Sequence, residues 1–249
     1  MIKIIDNCLP KIEQSPNIAW VRIEALYLCY GTGYPFLDFW VQTNQSCKTT
    51  AVICRFYNSI TVWNLHGADD EELSQFLDVI SGDEVFCTFE LAKRLSLIEV
   101  EKINVLSRVG KTTVRKQGPL ATFEQIYEIL NSGGDGDIEL PDYSEWYPDF
   151  VYRFRHKAAR YCLNADKTSV AITGFETSDF AIICGVATLP LFRNRGYAAD
   201  VVETLYSQLA QENKTVYVAT RDKTVEFYKK LGFTVEPIWF AICKKRGNR

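Results

Sequence analysis

The residues best suited to chemistry form one short run, Arg193-Asn194-Arg195-Gly196-Tyr197-Ala198. Two guanidinium groups and a glycine stand where a helix pattern opens: Ala198, Val201, Val202, Leu205 and Leu209 recur at spacings of three and four, so one stripe faces a core. The first amides of a helix have no partner within it, and the positive end of the macrodipole favours an anion there. A residue without Cβ lets that anion come close. Taken alone, the run fits solvent-facing arginines as well as it fits an anion clamp.

The elements that must position this run are a strand before it and a second helix after it. Residues 180–187 are almost continuously apolar and too short to cross a membrane, which predicts a strand buried on both faces and stopped at Pro190. Downstream, Phe227-Tyr228-Lys229-Lys230-Leu231-Gly232-Phe233 continues a helix that Asp222 can cap and Gly232 ends, with Val225, Tyr228 and Leu231 inward. Periodicity alone makes Tyr228 a packed aromatic.

The order Arg-x-x-Gly-x-Ala after a buried strand, followed about 30 residues on by Phe-Tyr-Lys-Lys-Leu-Gly-Phe, resembles the GNAT superfamily of N-acetyltransferases over about residues 101–249, most specifically 180–233. The resemblance implies an α/β (α+β) fold with a mixed, mostly antiparallel central sheet flanked by helices, and acetyl-coenzyme A as acetyl donor. Arg193, Asn194, Arg195, Gly196, Tyr197 and Ala198 would hold its diphosphate. Gly185, Val186, Ala187 and Thr188 would line the pantetheine slot and the oxyanion through main-chain atoms, and Tyr228 would be the general acid that protonates the leaving thiolate. The acceptor implied is a primary amine of a small molecule or peptide. Tyr143, Glu145, Tyr147 and His156, near a helix that borders the family's acceptor groove, read first as structural.

Two departures accompany the resemblance. Where many histone-type relatives carry a glutamate on the fourth strand, this chain has Ala181-Ile182-Ile183, leaving Glu176 or a water chain as substitute base. Where an asparagine precedes the tyrosine in relatives, this chain has Arg221-Asp222. The rival reading is an inactive GNAT-like module that binds an acyl-coenzyme A as a sensor or works through protein contacts.

The bulk numbers set the frame. With 249 residues, 47% of them hydrophobic and 13% aromatic, the chain can build packed cores. A formal charge of −3 gives no reason to expect nucleic acid. No run is apolar enough for a membrane span, and Asp6 precedes any export-type core, so a cytoplasmic protein is expected, with no membrane partner. The eight cysteines lack a Cys-x-x-Cys pair and read as reduced core thiols, Cys54, Cys87 and Cys184 among them; with two histidines, no metal site is expected.

Residues 1–98 are expected to form an α/β domain, and 99–249 the acetyltransferase domain. In the first, a helix over 17–30 ends at Gly31, strands follow at 36–43, 50–57 and 60–66, Asp69 and Glu72 cap a helix with Leu73 and Leu77 inward, and 84–89 is a strand. This order resembles a degenerate GNAT half that has lost the cofactor loop. In the second, strands are expected at 103–106, 159–163, 169–175, 215–219 and within 234–243. Thr122 and Gln125 box a helix there, and Ser132 to Asp137 reads as a connector rather than a calcium loop. Trp146, Phe150 and Phe154 line a further helix.

Overall fold

The computed structural model describes residues 1–12, 16–116, 118–133 and 140–245. Most of the expected 132–137 connector lies outside them. Along the chain run β1 (Ile2–Ile4), α1 (Ile18–Tyr30), β2 (Leu37–Thr43), β3 (Thr49–Phe56), β4 (Ser59–Asn64), α2 (Asp70–Val79), β5 (Glu84–Thr88), α3 (Phe89–Arg94) and β6 (Ile98–Arg108). There follow α4 (Phe123–Gly133), α5 (Tyr143–Arg155), β7 (Tyr161–Leu163), β8 (Ser169–Glu176), β9 (Phe180–Thr188), α6 (Tyr197–Gln211), β10 (Thr215–Thr220), α7 (Asp222–Lys230), β11 (Thr234–Val235) and β12 (Phe240–Lys244). Two compact units result: Met1–Val105 with Thr220–Val225 and Val235–Arg249, and Leu106–Ala219 with Glu226–Thr234.

In the first unit β1, β2, β3 and β4 form an antiparallel meander, and β5 runs parallel to β4. The parallel connection is made by α2, whose Leu73 and Leu77 join Ile53, Val62 and Val85 in the core; each such side chain contributes about 1.5–3 kcal/mol when removed from water. The expected caps are present. Asn17 Oδ1 accepts from the amides of Ala19 and Trp20 at 3.0 and 3.1 Å, Gly31 ends α1 at φ 68°, and Asp69 accepts from the Glu72 amide at 3.0 Å. Phe89, expected in the strand, instead begins α3, because Thr88 caps a helix through the Leu91 amide. β12 pairs antiparallel with both β5 and β6 and so lies between them in the sheet.

In the second unit β7, β8 and β9 are antiparallel and β10 is parallel to β9. The Thr122–Gln125 box forms reciprocally, at 3.3 and 3.2 Å. Helices α4 and α5 place Ile126, Leu130, Trp146 and Phe150 on Val170, Ile172 and Ala187. Ala171 points to the other face of β8 by the two-residue period and is equally buried, so both faces are covered. Along α6, Val201, Val202, Leu205 and Leu209 are fully buried, as the spacing predicts.

An ionic network ties the ends of β8 and α6. The Glu176 carboxylate, its side chain 1% exposed, accepts from Arg160 at 2.7 and 2.9 Å, from Lys214 at 2.9 Å and from the Thr173 hydroxyl at 2.5 Å. Glu212 closes it, meeting Arg160 at 2.7 Å and Lys214 at 3.0 Å. The hydrogen bond from Arg160, supported by Lys214, lowers the Glu212 pKa from its ordinary 4.5 to about 2. A depressed carboxylate contributes stability that is complete above its unfolded value and lost as pH falls through the folded one. Glu212→Gln is therefore expected to lower the urea midpoint near neutral pH, modestly because the group is 44% exposed. The gap from the parent should close between pH 4.5 and about 2; a gap independent of pH in paired urea titrations would remove Glu212 from this role.

Candidate functional site

The site in the second unit begins where β9 parts from β10. Their parallel register runs from Thr215↔Phe180 to Val218↔Ile183 and stops, while β8 stays paired with β9 as far as Ser169↔Thr188. Gly185 to Thr188 are thus paired on one side only, and alternate backbone N–H and C=O groups face an open edge. Just there the β8–β9 register shifts twice, at Cys184 on one strand and at Gly174 on the other. Such bulges bend a strand and redirect a side chain. Gly185 lets α4 approach: a Cβ there would lie 3.0 Å from Leu130 Cδ2 and 2.9 Å from Ile172 Cγ1.

The slot residues named from the sequence follow. Ala187 is 2% exposed and packs under α4 and α5, Thr188 shares a 2.8 Å hydrogen bond with Ser169, and Val186 is half-buried. The side chains of Ala187 and Thr188 are committed to the interior, and their carbonyls accept from the Ser169 hydroxyl at 3.0 Å and from Arg193 Nε at 3.3 Å.

Beyond β9 a short 3-10 turn, Pro190–Phe192, leads into the loop. Asn194 at φ 59° and Gly196 at φ 82° both adopt the left-handed conformation. A Cβ on Gly196 would meet nothing within 4 Å, so glycine is required there by its backbone angle, not by crowding. Gly196 occupies the N-cap position of α6 without a side-chain capping bond. The Arg193 amide reaches the Pro190 carbonyl at 3.3 Å, whereas the amides of Asn194, Arg195, Gly196, Tyr197 and Ala198 have no acceptor among the described residues. Five successive donors therefore gather at the positive end of a 15-residue helix. Arg193 Nε donates to the Thr188 carbonyl at 3.3 Å and so ties loop to strand; the exposed Arg195 guanidinium lies 5.5 Å from the Phe192 ring centre; Tyr197 donates to Asp166 at 3.3 Å.

Tyr228 is 8% exposed, with Phe227 and Phe233 edge-on at 5.0 and 5.7 Å. Its hydroxyl makes no hydrogen bond among the described residues. Burial raises its pKa above the ordinary tyrosine value of 10, and the neighbouring Cys184 thiol adds to the rise, so the phenol keeps its proton at neutral pH.

Other expectations are altered. Cys184 is exposed, not a core thiol like Cys54 and Cys87, because the bulge turns it out of the apolar run that suggested burial. Glu176 is locked between Arg160 and Lys214 and is unavailable as a base. Asp222 is the first residue of α7 rather than its cap, and accepts from Asn104 Nδ2 at 2.6 Å, while Arg221 pairs with Glu101. His156 stacks on Tyr152 at 4.0 Å, and Tyr143 joins an aromatic group with Tyr127, Trp146 and Tyr147. Among the described residues, no hydrogen bond or ring contact links Tyr143, Glu145, Tyr147 or His156 to Tyr228 or to residues 193–198. Nor do the described residues contain a group of three or more His, Cys, Asp or Glu able to hold a metal, or a helix long and apolar enough to cross a membrane.

The first unit repeats the strand and helix plan without the anion loop. Its β4–β5 register also stops early, at Thr61↔Phe86, but the turn into α2 reads Leu65-His66-Gly67-Ala68 and the helix opens on Asp70, Glu71 and Glu72. Three carboxylates at a helix start repel an anion.

This arrangement is the GNAT fold, with a degenerate half GNAT at the N-terminus. Residues 161–240 match the family described as FR47-like protein. A tandem GNAT protein from the clavulanic acid biosynthesis pathway superposes with TM-score 0.54 at 11% identity, covering 95% of this chain and 92% of its own. GCN5-related N-acetyltransferases from Sphaerobacter thermophilus (TM-score 0.60, 12% identity, 91% and 86% covered) and Kribbella flavida (0.59, 16%, 92% and 95%) share the fold. The C-terminal part of the chain thus resembles the GNAT superfamily in fold and in sequence motif alike. No curated protein matches the chain in sequence.

Proposed function

We propose that the protein is an N-acetyltransferase that moves an acetyl group from acetyl-coenzyme A to a primary amine of a small molecule or peptide by direct attack. The observation that carries this reading is the five unengaged amides of 194–198, framed by Arg193 and Arg195 and followed by α6. They suit a diphosphate, which gains charge-assisted hydrogen bonds from each donor. The open edge of β9 at Val186, Ala187 and Thr188 offers main-chain groups to the pantetheine arm and to the developing oxyanion. Tyr228, protonated and with no hydrogen-bond partner for its hydroxyl among the described residues, gives its proton to the departing thiolate.

In this reading residues 99–249 form the acetyltransferase domain, and 1–98 an N-terminal α/β domain. The enzyme works in the cytoplasm, where thiols stay reduced, in keeping with eight free cysteines. A second reading, a sensor that binds acyl-coenzyme A without turnover, is favoured by the absence of a carboxylate at Ala181-Ile182-Ile183 together with the locked Glu176.

Calorimetric titration with acetyl-coenzyme A, followed by a panel of amines scored for free thiol release, separates the two. Saturable binding and amine-dependent thiol release are expected. Binding with no release across the panel would select the sensor, and absence of binding would overturn both.

A further inference from the structure

A cavity of about 330 Å³ in the second unit shares no lining residue with the β9 slot or the anion loop. It lies where α5 ends and the edge strand β7 begins, with Gln208 of α6 as a further wall. No carboxylate is among its lining residues. Arg160, one of its two cations, is already engaged by Glu176 and Glu212, whereas Lys157 makes no ion pair or side-chain hydrogen bond among the described residues. The charge left for an occupant is therefore a single ammonium. Two N–H groups of the lining also lack an acceptor. Gln208 Nε2 is buried and has no hydrogen-bond partner among the described residues, and neither has the amide of Ala159, a residue 3% exposed. Buried N–H groups are nearly always paired, so two of them at one cavity point to an acceptor that comes from outside the chain. The remaining surface is apolar. Phe154, 37% exposed, stacks on Tyr161 at 5.6 Å, and Leu120, 76% exposed, stands at the same cavity.

We propose that this cavity is a second binding site, for a small carboxylate with an apolar body. The carboxylate accepts from Lys157 Nζ, Gln208 Nε2 and the Ala159 amide, and the apolar part covers Phe154 and Leu120. Complementarity selects that class over its neighbours. An ammonium would be repelled by Lys157 and would leave both N–H groups unpaired; a bare anion would satisfy the donors and leave the apolar wall in water. The volume stands at the lower end of the range for small-molecule sites, about 300–1,000 Å³, so the occupant is small. The site requires nothing of the acetyl-coenzyme A reading, because the two share no residue.

The test titrates the full-length protein with phenylacetate, followed by saturation-transfer NMR and calorimetry. Phenethylamine keeps the ring and reverses the charge, and acetate keeps the charge without the ring. Phenylacetate should bind saturably with a Kd at or below about 1 mM, at least about tenfold tighter than either comparator. Lys157→Met, at an exposed position, should weaken it at least about tenfold by removing the one uncompensated charge. Gln208→Leu should weaken it as well, yet leave the thermal midpoint of the unliganded protein level or higher, since the deleted N–H group had no partner to lose. Inorganic diphosphate, which suits the amides of 194–198, should not displace the probe. Should Gln208→Leu fail to fold, Lys157→Met still decides. The proposal is overturned by a lack of saturable phenylacetate binding, by equal affinity for the acid and the amine, or by undiminished affinity in Lys157→Met. Displacement by diphosphate would overturn it too, because it would move the probe to the anion loop.

Discussion

Tyr228→Phe is expected to lower amine-dependent turnover about 100-fold, the scale of a lost general acid, while acetyl-coenzyme A binds as before. The substitution removes one oxygen that has no hydrogen-bond partner among the described residues, so nothing in the protein is left unsatisfied by its loss. The ring keeps its contacts with Phe227 and Phe233, and the fold should be undisturbed. A factor of 100 is about 2.7 kcal/mol of transition-state stabilisation, which a proton delivered to the leaving sulfur can supply. Because the phenol titrates above the ordinary tyrosine value, its loss of activity at high pH should begin above the range where a solvated tyrosine would ionise. Steady-state assays with calorimetry on the same variant check both parts. Undiminished turnover would take Tyr228 out of the mechanism, and weakened cofactor binding would give it a different role.

Glu176→Ala is expected to destabilise the protein by about 3–5 kcal/mol, because deleting one member of a buried ionic group leaves the others charged and uncompensated. Lys214 is 8% exposed and would keep only Glu212; Arg160 would lose its three bonds to Glu176. Urea unfolding at neutral pH measures the effect, best read from the midpoint at an unchanged slope. The same experiment tests the assignment of roles. If Glu176 were the base of an amine transfer, the variant would lose turnover with its midpoint unmoved, which is the reverse of the expected pattern.

These two residues mark where sequence stops being informative. Tyr228 was visible from its motif, since a pattern of neighbours along one helix is a local property. Glu176 looked available because its partners, Arg160 and Lys214, come from other elements and only converge once β8 and α6 pack. Cys184 misled for a related reason: an apolar run predicts burial, and a bulge depends on register with another strand, which composition does not encode.

The sequence by itself determined the local stops and starts: the Asn17 and Asp69 caps, the Gly31 terminus, the Thr122–Gln125 box, the apolar β9 and the helix start at α6. Each depends on the chemistry of a few adjacent residues. It also placed paired arginines beside a helix start, which is the core of the candidate anion site. Only the tertiary structure decided that β9 leaves β10 after Ile183, that the loop amides are unengaged, and that β12 pairs with β5 and β6 in the first unit. Those outcomes depend on which strand edge finds which partner, and hydrogen bonds between distant segments are settled by the packing of the whole fold.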